Sequence, residues 1–287
     1  MFSLDAIKND KVLFEKAVSQ VTPEILGSVI DHTALNPTAT CADIHKLCRE
    51  ANEIGSFICI NGSRVRDAKM YIDNERLINI RGVAAVVGFP FGAEHTTEKE
   101  MGALAALVTE KADEVDMVLN IGKWLDKEHE YVYKDIQTVA KMVRRAQNMY
   151  GKTKILKVIQ ENCSLNDEQK SLATMFICEI SAEIGIRVFA KTSTGFGTPK
   201  NDKTPKGATL EDVCMMNNMA AYYRKDGARI GIKAAGGVGD AETAVKMMIA
   251  GGCFDDNAVL LQNLPDIFRI GASAGVKIVN DFKERFR

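Results

Sequence analysis

Short apolar runs of four to seven residues alternate along this chain with longer stretches whose apolar positions recur at helical spacing. The runs near residues 26–31, 56–60, 82–88, 114–119, 154–160, 187–190, 229–233 and 267–271 predict eight strands, and the segments between them are long enough for crossover helices. Two of those segments carry helical marks of their own. Thr40 with Asp43 makes a capping-box pattern, and Val132, Ile136, Val139 and Val143 share one face. In the first twenty residues, Asp5, Lys8, Asp10, Lys11, Glu15 and Lys16 break every apolar run, which predicts one amphipathic helix.

Strands that are apolar at nearly every position are buried on both faces, as in parallel α/β folds. Eight of them either close into a barrel or stay open as a doubly wound sheet. Periodicity does not choose; the count of eight favours a single (β/α)8 TIM barrel, and 287 residues suit one such domain with additions. The expected division is a helical extension over 1–24, the barrel over 25–275 and a C-terminal helix or tail over 276–287. The polar stretch at 198–209, with Lys200, Lys203 and Lys206, reads as a surface loop.

Composition narrows the function classes. With 37 basic and 38 acidic residues the formal net charge is −1, so no overall field draws nucleic acid or an anionic membrane, and an anionic ligand needs a local site. The charged N-terminal stretch suits neither a secretory leader nor a membrane span. Seven cysteines without a CxxC pair read as reduced thiols, which points to the cytoplasm.

In a barrel, reactive groups lie at the C-terminal ends of the strands. The sixth run ends in Val188-Phe189-Ala190-Lys191-Thr192-Ser193-Thr194-Gly195 and the seventh in Ile230-Gly231-Ile232-Lys233-Ala234-Ala235-Gly236-Gly237. Removing an ammonium group from water disfavours its charged form, and a second lysine on the next strand pushes the same way. A lysine neutralised by both effects attacks carbonyls and forms a Schiff base. Asp116, in the fourth run, is a candidate to pass protons, directly or through one water; pairing with one of the lysines is the plainer reading, and the two roles are compatible. Asp31 and Lys157 suit partners in a buried polar network. Gly195-Phe196-Gly197, Gly236-Gly237 and Gly271-Ala272-Ser273 follow the last three strands, where barrels hold phosphate on backbone amides. Cys41, His45 and Cys48 share a helix face as zinc ligands do, but no fourth ligand is apparent, and small core cysteines explain them as well. His32, His95 and His129 form no motif.

These residues together resemble deoxyribose-phosphate aldolase, a family of class I aldolases. The resemblance runs from about Leu26 to Gly275. It passes through Ile30-Asp31-His32-Thr33-Ala34-Leu35-Asn36, Ile58-Cys59-Ile60, Gly88-Phe89-Pro90-Phe91-Gly92, Ala112-Asp113-Glu114-Val115-Asp116, Leu156-Lys157-Val158-Ile159, the two lysine motifs and Ile270-Gly271-Ala272-Ser273. It implies Lys191 as the Schiff-base lysine, Lys233 as the lysine that lowers its pKa, and Asp116 as the proton relay. Thr33, Cys59 and Lys157 match positions near the family's reaction centre, and Gly195, Gly236, Gly237, Gly271 and Ser273 match its phosphate-binding elements. The implied reaction is reversible cleavage of 2-deoxy-D-ribose 5-phosphate to D-glyceraldehyde 3-phosphate and acetaldehyde, with no cofactor and no metal. The implied partner is a small phosphorylated sugar, with a homodimer left open. The chain departs from the pattern at Ala274, where many members have a second serine, at Ala234, where proline is common, in its longer 198–209 loop, and in a C-terminus without the tyrosine of some members. A Schiff-base aldolase for another phosphorylated sugar is the alternative within enzymes, and an aldolase-like barrel used for partner binding is the alternative outside them.

Overall fold

In the computed structural model, which describes residues 2–287, the strands pair in chain order as one closed parallel barrel. They are β1 (Ile30–Ala34), β2 (Phe57–Asn61), β3 (Val83–Val87), β4 (Glu114–Val118), β5 (Ile155–Ile159), β6 (Arg187–Lys191), β7 (Ile230–Ala235) and β8 (Phe268–Ala272), and β8 returns to pair with β1. Closure excludes the open doubly wound sheet. The chain enters through α1 (Leu4–Asn9), α2 (Lys11–Gln20) and α3 (Pro23–Ser28). Around the barrel run α4 (Cys41–Ile54), α5 (Val65–Asn74), α6 (Thr96–Leu104), α7 (Ile121–Leu125), α8 (His129–Tyr150), α9 (Asp167–Ile184), α10 (Leu210–Lys225), α11 (Ala241–Ala250) and α12 (Gly275–Phe286). The Thr40–Asp43 capping box starts α4, and Val132, Ile136, Val139 and Val143 of α8 are all buried. Residues 198–209 contain neither helix nor strand, and Thr209 caps α10 through Asp212 N.

Three expectations need correction. The N-terminal helix is two helices, because Asp10 takes an extended conformation and its side chain accepts from Leu13 N, which starts α2 afresh. The run at 26–31 does not begin the first strand. Pro23 at the first helical position and the Thr22 side chain accepting from Ile25 N start α3, so Leu26 lies in a buried helical turn and β1 begins at Ile30. A short buried apolar run suits either element, and here the cap decides. Finally, β7 continues past Lys233 to Ala235, which leaves Lys233 inside the barrel wall.

Strand register positions the site. Side chains at the same level on neighbouring strands face the same way. Lys191 is level with Lys233, Asp116 with Lys157, Lys233 with Arg269, and Asp31 with Gly271. The alternation that sends these groups inward sends His32 outward, where its ring nitrogens meet Glu50 Oε2 at 3.0 Å and the Ala272 carbonyl at 3.3 Å. The extension is tied to the far end of the chain: Lys16 Nζ and Gln20 Nε2 donate to the carbonyls of Asn257 (2.6 Å) and Ala258 (2.7 Å).

Candidate active site

Inside the barrel, carboxylates from β1 and β4 meet cations from β5, β6, β7 and β8. Asp31, Glu114 and Asp116 face Lys157, Lys191, Lys233 and Arg269, and none of the seven is more than 2% exposed. Isolated charges cannot be buried so deeply; each needs a partner at contact distance. Arg269 donates to Asp31 Oδ1 at 2.7 Å and Glu114 Oε1 at 3.1 Å, and its guanidinium lies 3.4 Å over the Phe57 ring. The Lys157 ammonium donates to Asp31 Oδ2 at 2.7 Å and lies in ion-pair contact with Asp116 Oδ1 (3.1 Å) and Glu114 Oε2. Lys233 contacts Asp31 Oδ2 and, at 2.7 Å, Asp116 Oδ2. Lys191 has one such contact, to the same Asp116 Oδ2 at 2.8 Å.

This gradation ranks the amines by how readily each gives up its proton. Four cations face three carboxylates, so with every group charged the cluster carries one excess positive charge away from water. The proton most easily lost is on the cation with the fewest carboxylate contacts. Burial pushes the Lys191 amine below the ordinary lysine range; Asp116 opposes that, and the Lys233 charge adds to it. At Lys233 burial acts the same way, but Asp116 and Asp31 outweigh it and hold the amine above the ordinary range. Lys157, facing all three carboxylates, lies well above it despite burial. Burial also works against ionising Asp116, yet Lys157, Lys191 and Lys233 keep its carboxyl well below the usual range. Since Lys191 and Lys233 touch one oxygen atom, their nitrogens are no farther apart than the sum of two hydrogen bonds.

Above the cluster, at the C-terminal ends of the strands, lies a cavity of about 450 Å³. Lys191 opens into it. So do Thr33 from β1, Gly195 after β6, Gly236 and Gly237 after β7, and Gly271 and Ser273 at the end of β8. Gly195, Gly236 and Gly237 have φ of 88°, 82° and 78°, a left-handed backbone that glycine adopts without strain. A methyl at Gly271 would lie 3.1 Å from Lys233 Cε, so its missing side chain leaves room for the lysine stem. Ser273 lies in the two-residue turn that leads from β8 into α12.

Not every expected contact lies in the cavity wall. Asp116 and Lys233 are its buried support. Lys157 and Cys59, expected near the substrate, are fully buried and do not line the cavity: Lys157 lies against three carboxylates, and Cys59 packs with Ala84 and Val86 beside Leu35 and Phe89. Burial, reinforced by Asp116, pushes the Cys59 thiol up to about 11. Cys41 Sγ is 3.4 Å from His45 Nε2, but Cys48 is buried in the core, and among the described residues no group of three His, Cys, Asp or Glu side chains is placed to hold a metal ion. His95 caps α6 at the surface and His129 packs on Trp124. Sequence reasoning did not single out Glu114, Arg269, Ser193 or Glu161. The first two lie within apolar strands and could have been flagged as charges without a local partner. Ser193 lines the cavity, and its buried Oγ has no hydrogen-bond partner among the described residues.

A closed parallel (β/α)8 barrel with a strand-end lysine opening from a buried charge cluster into a glycine-rimmed cavity defines a barrel-enzyme site of the amine-nucleophile kind. The chain belongs to the DeoC/LacD family of aldolases, which it matches over residues 26–280. The deoxyribose-phosphate aldolase of Thermococcus kodakarensis is 42% identical over 255 residues, covering 88% of this chain and 95% of that protein. The deoxyribose-phosphate aldolase of Thermotoga petrophila is 39% identical over 274 residues, covering 95% and 92%. Among solved structures, the tetrameric deoxyribose phosphate aldolase of Aeropyrum pernix superposes with a TM-score of 0.70 at 27% identity, covering 94% of this chain and 97% of that one. No helix among the described residues is long and apolar enough to cross a membrane.

Proposed function

We propose that this chain reversibly cleaves 2-deoxy-D-ribose 5-phosphate to D-glyceraldehyde 3-phosphate and acetaldehyde through an imine on Lys191. The observation that carries the reading is that Lys191, alone among the four cations of the cluster, has a single carboxylate contact and opens into the cavity. Its neutral amine attacks the aldehyde carbon of the open-chain sugar, and the carbinolamine takes up one proton and loses water to give the protonated imine. A base removes the C3 hydroxyl proton, the C2–C3 bond breaks, and its electron pair moves into the imine to form an enamine while glyceraldehyde 3-phosphate leaves. Protonation of the enamine at C2 and hydrolysis release acetaldehyde and the free lysine. Asp116, held ionised at 2.8 Å from Lys191 Nζ, is the carboxylate suited to carry these protons, directly or through one water. Lys233 keeps its own proton and disfavours a second charge on Lys191. Gly195, Gly236, Gly237, Gly271 and Ser273 receive the phosphate on the side of the cavity away from β3. The substrate follows from the relatives at about two-fifths identity over most of the chain.

The test is a coupled assay of purified protein on 2-deoxyribose 5-phosphate beside fructose 1,6-bisphosphate. Turnover of the first with little of the second supports the reading. Preference for the bisphosphate keeps the imine chemistry and overturns the substrate.

A further inference from the structure

Glu161 is a fully buried carboxyl that the chemistry above leaves unused. It follows β5 with a left-handed backbone, φ 57°, a conformation that costs about a kcal/mol or more for a residue with a side chain and persists where its surroundings hold it. What holds it is the segment after β6. Thr194 N–H donates to both carboxylate oxygens, at 3.3 and 3.2 Å, and the Thr194 hydroxyl donates to Oε2. The same hydroxyl oxygen accepts from Phe196 N–H at 2.9 Å. A methyl added at Gly197 would sit 2.5 Å from Glu161 Cδ, so the chain from Thr194 to Gly197 wraps around this one carboxyl group. Further along, Ser164 Oγ donates to the Thr198 carbonyl and Lys200 N–H to the Cys163 carbonyl, both at 2.9 Å, tying the rest of the segment to the same turn. Thr194, Gly195 and Phe196 line the cavity, whereas Glu161 does not.

We infer that Glu161 is a positioning residue: its carboxylate shapes the 194–197 turn so that the backbone at Gly195 faces the substrate phosphate. The inference rests on the proposed substrate, since it needs a phosphate at that end of the cavity. A carboxylate suits the task better than an amide of the same shape. Both oxygens accept, and the Thr194 amide and hydroxyl present two donors; a glutamine would turn an NH2 group toward one of them. Loosening the turn weakens the hold on the phosphate and leaves Lys191, Asp116 and Lys233 as they are. Glu161 therefore governs selectivity for phosphorylated over unphosphorylated sugar, and the imine chemistry proceeds without it.

The experiment compares kcat and KM on 2-deoxyribose 5-phosphate and on unphosphorylated 2-deoxyribose for the wild-type chain, Glu161→Gln and Gly197→Ala, with thermal melts to verify folding. Gly197→Ala pushes the turn off the carboxyl without altering its charge. In both variants KM for the phosphorylated sugar should rise so that its advantage over the unphosphorylated one falls about tenfold or more, the scale of one hydrogen bond to a charged group. Turnover of the unphosphorylated sugar should stay near the wild-type rate. An unchanged preference in folded Glu161→Gln, or an equal loss on both sugars, overturns the role of Glu161. A wild-type chain with no preference for the phosphorylated sugar overturns the substrate reading itself, which separates the two failures.

Discussion

Replacing Lys233 with leucine removes one of the four cations that face three carboxylates, so the cluster with every group charged is neutral instead of positive, and Lys191 keeps the effect of burial but loses the neighbouring charge that adds to it. The size of the effect follows from the shared contact with Asp116 Oδ2, 2.8 Å from one nitrogen and 2.7 Å from the other. At a separation of about 5 Å and an effective dielectric of about 20, two like charges repel by about 3 kcal/mol, so the neutral fraction of Lys191 at a fixed pH below its midpoint falls roughly a hundredfold. Asp116, relieved of one cation, then attracts the Lys191 proton more strongly, in the same direction. The assay is the pH profile of kcat/KM for aldol cleavage by Lys233→Leu, with a melt to check folding, because breaking a buried ion pair costs about 3–5 kcal/mol. The expected result is a large loss near neutral pH that recedes as pH rises and Lys191 deprotonates. A folded variant whose loss is the same at every pH refutes the electrostatic argument, because Lys233 would then act by contact or shape.

Three further outcomes follow from the same coordinates. Because burial raises the Cys59 thiol to about 11, iodoacetamide should leave it unmodified at neutral pH in the folded protein while exposed Cys41 reacts; peptide mapping that finds both equally labelled contradicts the packing around Cys59. A methyl at Gly27 would lie 1.8 Å from the Ile54 carbonyl oxygen, a backbone atom that cannot swing away, so Gly27→Ala should lower the unfolding free energy by about 3 kcal/mol in urea titration, and a wild-type midpoint would show that α3 shifts freely. Asp31 and Asp116 have carboxyls held below their unfolded values by the surrounding cations, so the stability they contribute is complete above about pH 4 and declines as pH falls from there toward the folded-state values; urea midpoints that do not drop between about pH 5 and pH 2 contradict this coupling.

Much of this architecture was legible because parallel strands buried on both faces leave unbroken apolar runs, and a lysine ending such a run stands out. Lys191 and Lys233 were singled out that way and Asp116 as a carboxylate within the fourth run, and the register explains why they meet. The first strand was misplaced because Leu26, Val29 and Ile30 are buried whether the segment turns as helix or runs as strand, and the deciding signals, Thr22 and Pro23, lie upstream of it. Glu114 and Arg269 escaped notice for another reason. Their contact joins β4 to β8, and nothing near either residue in sequence announces a partner across the barrel interior. Glu161 was invisible because its role depends on a loop more than thirty positions away wrapping around it.

The central claim is that Lys191, and neither of its two lysine neighbours in the cluster, is the free nucleophilic amine. Reduction with borohydride in the presence of acetaldehyde, followed by peptide mapping, tests it directly. The account predicts a two-carbon adduct on Lys191, with Lys157 and Lys233 unmodified. An adduct on Lys233 or Lys157 with Lys191 untouched would contradict it.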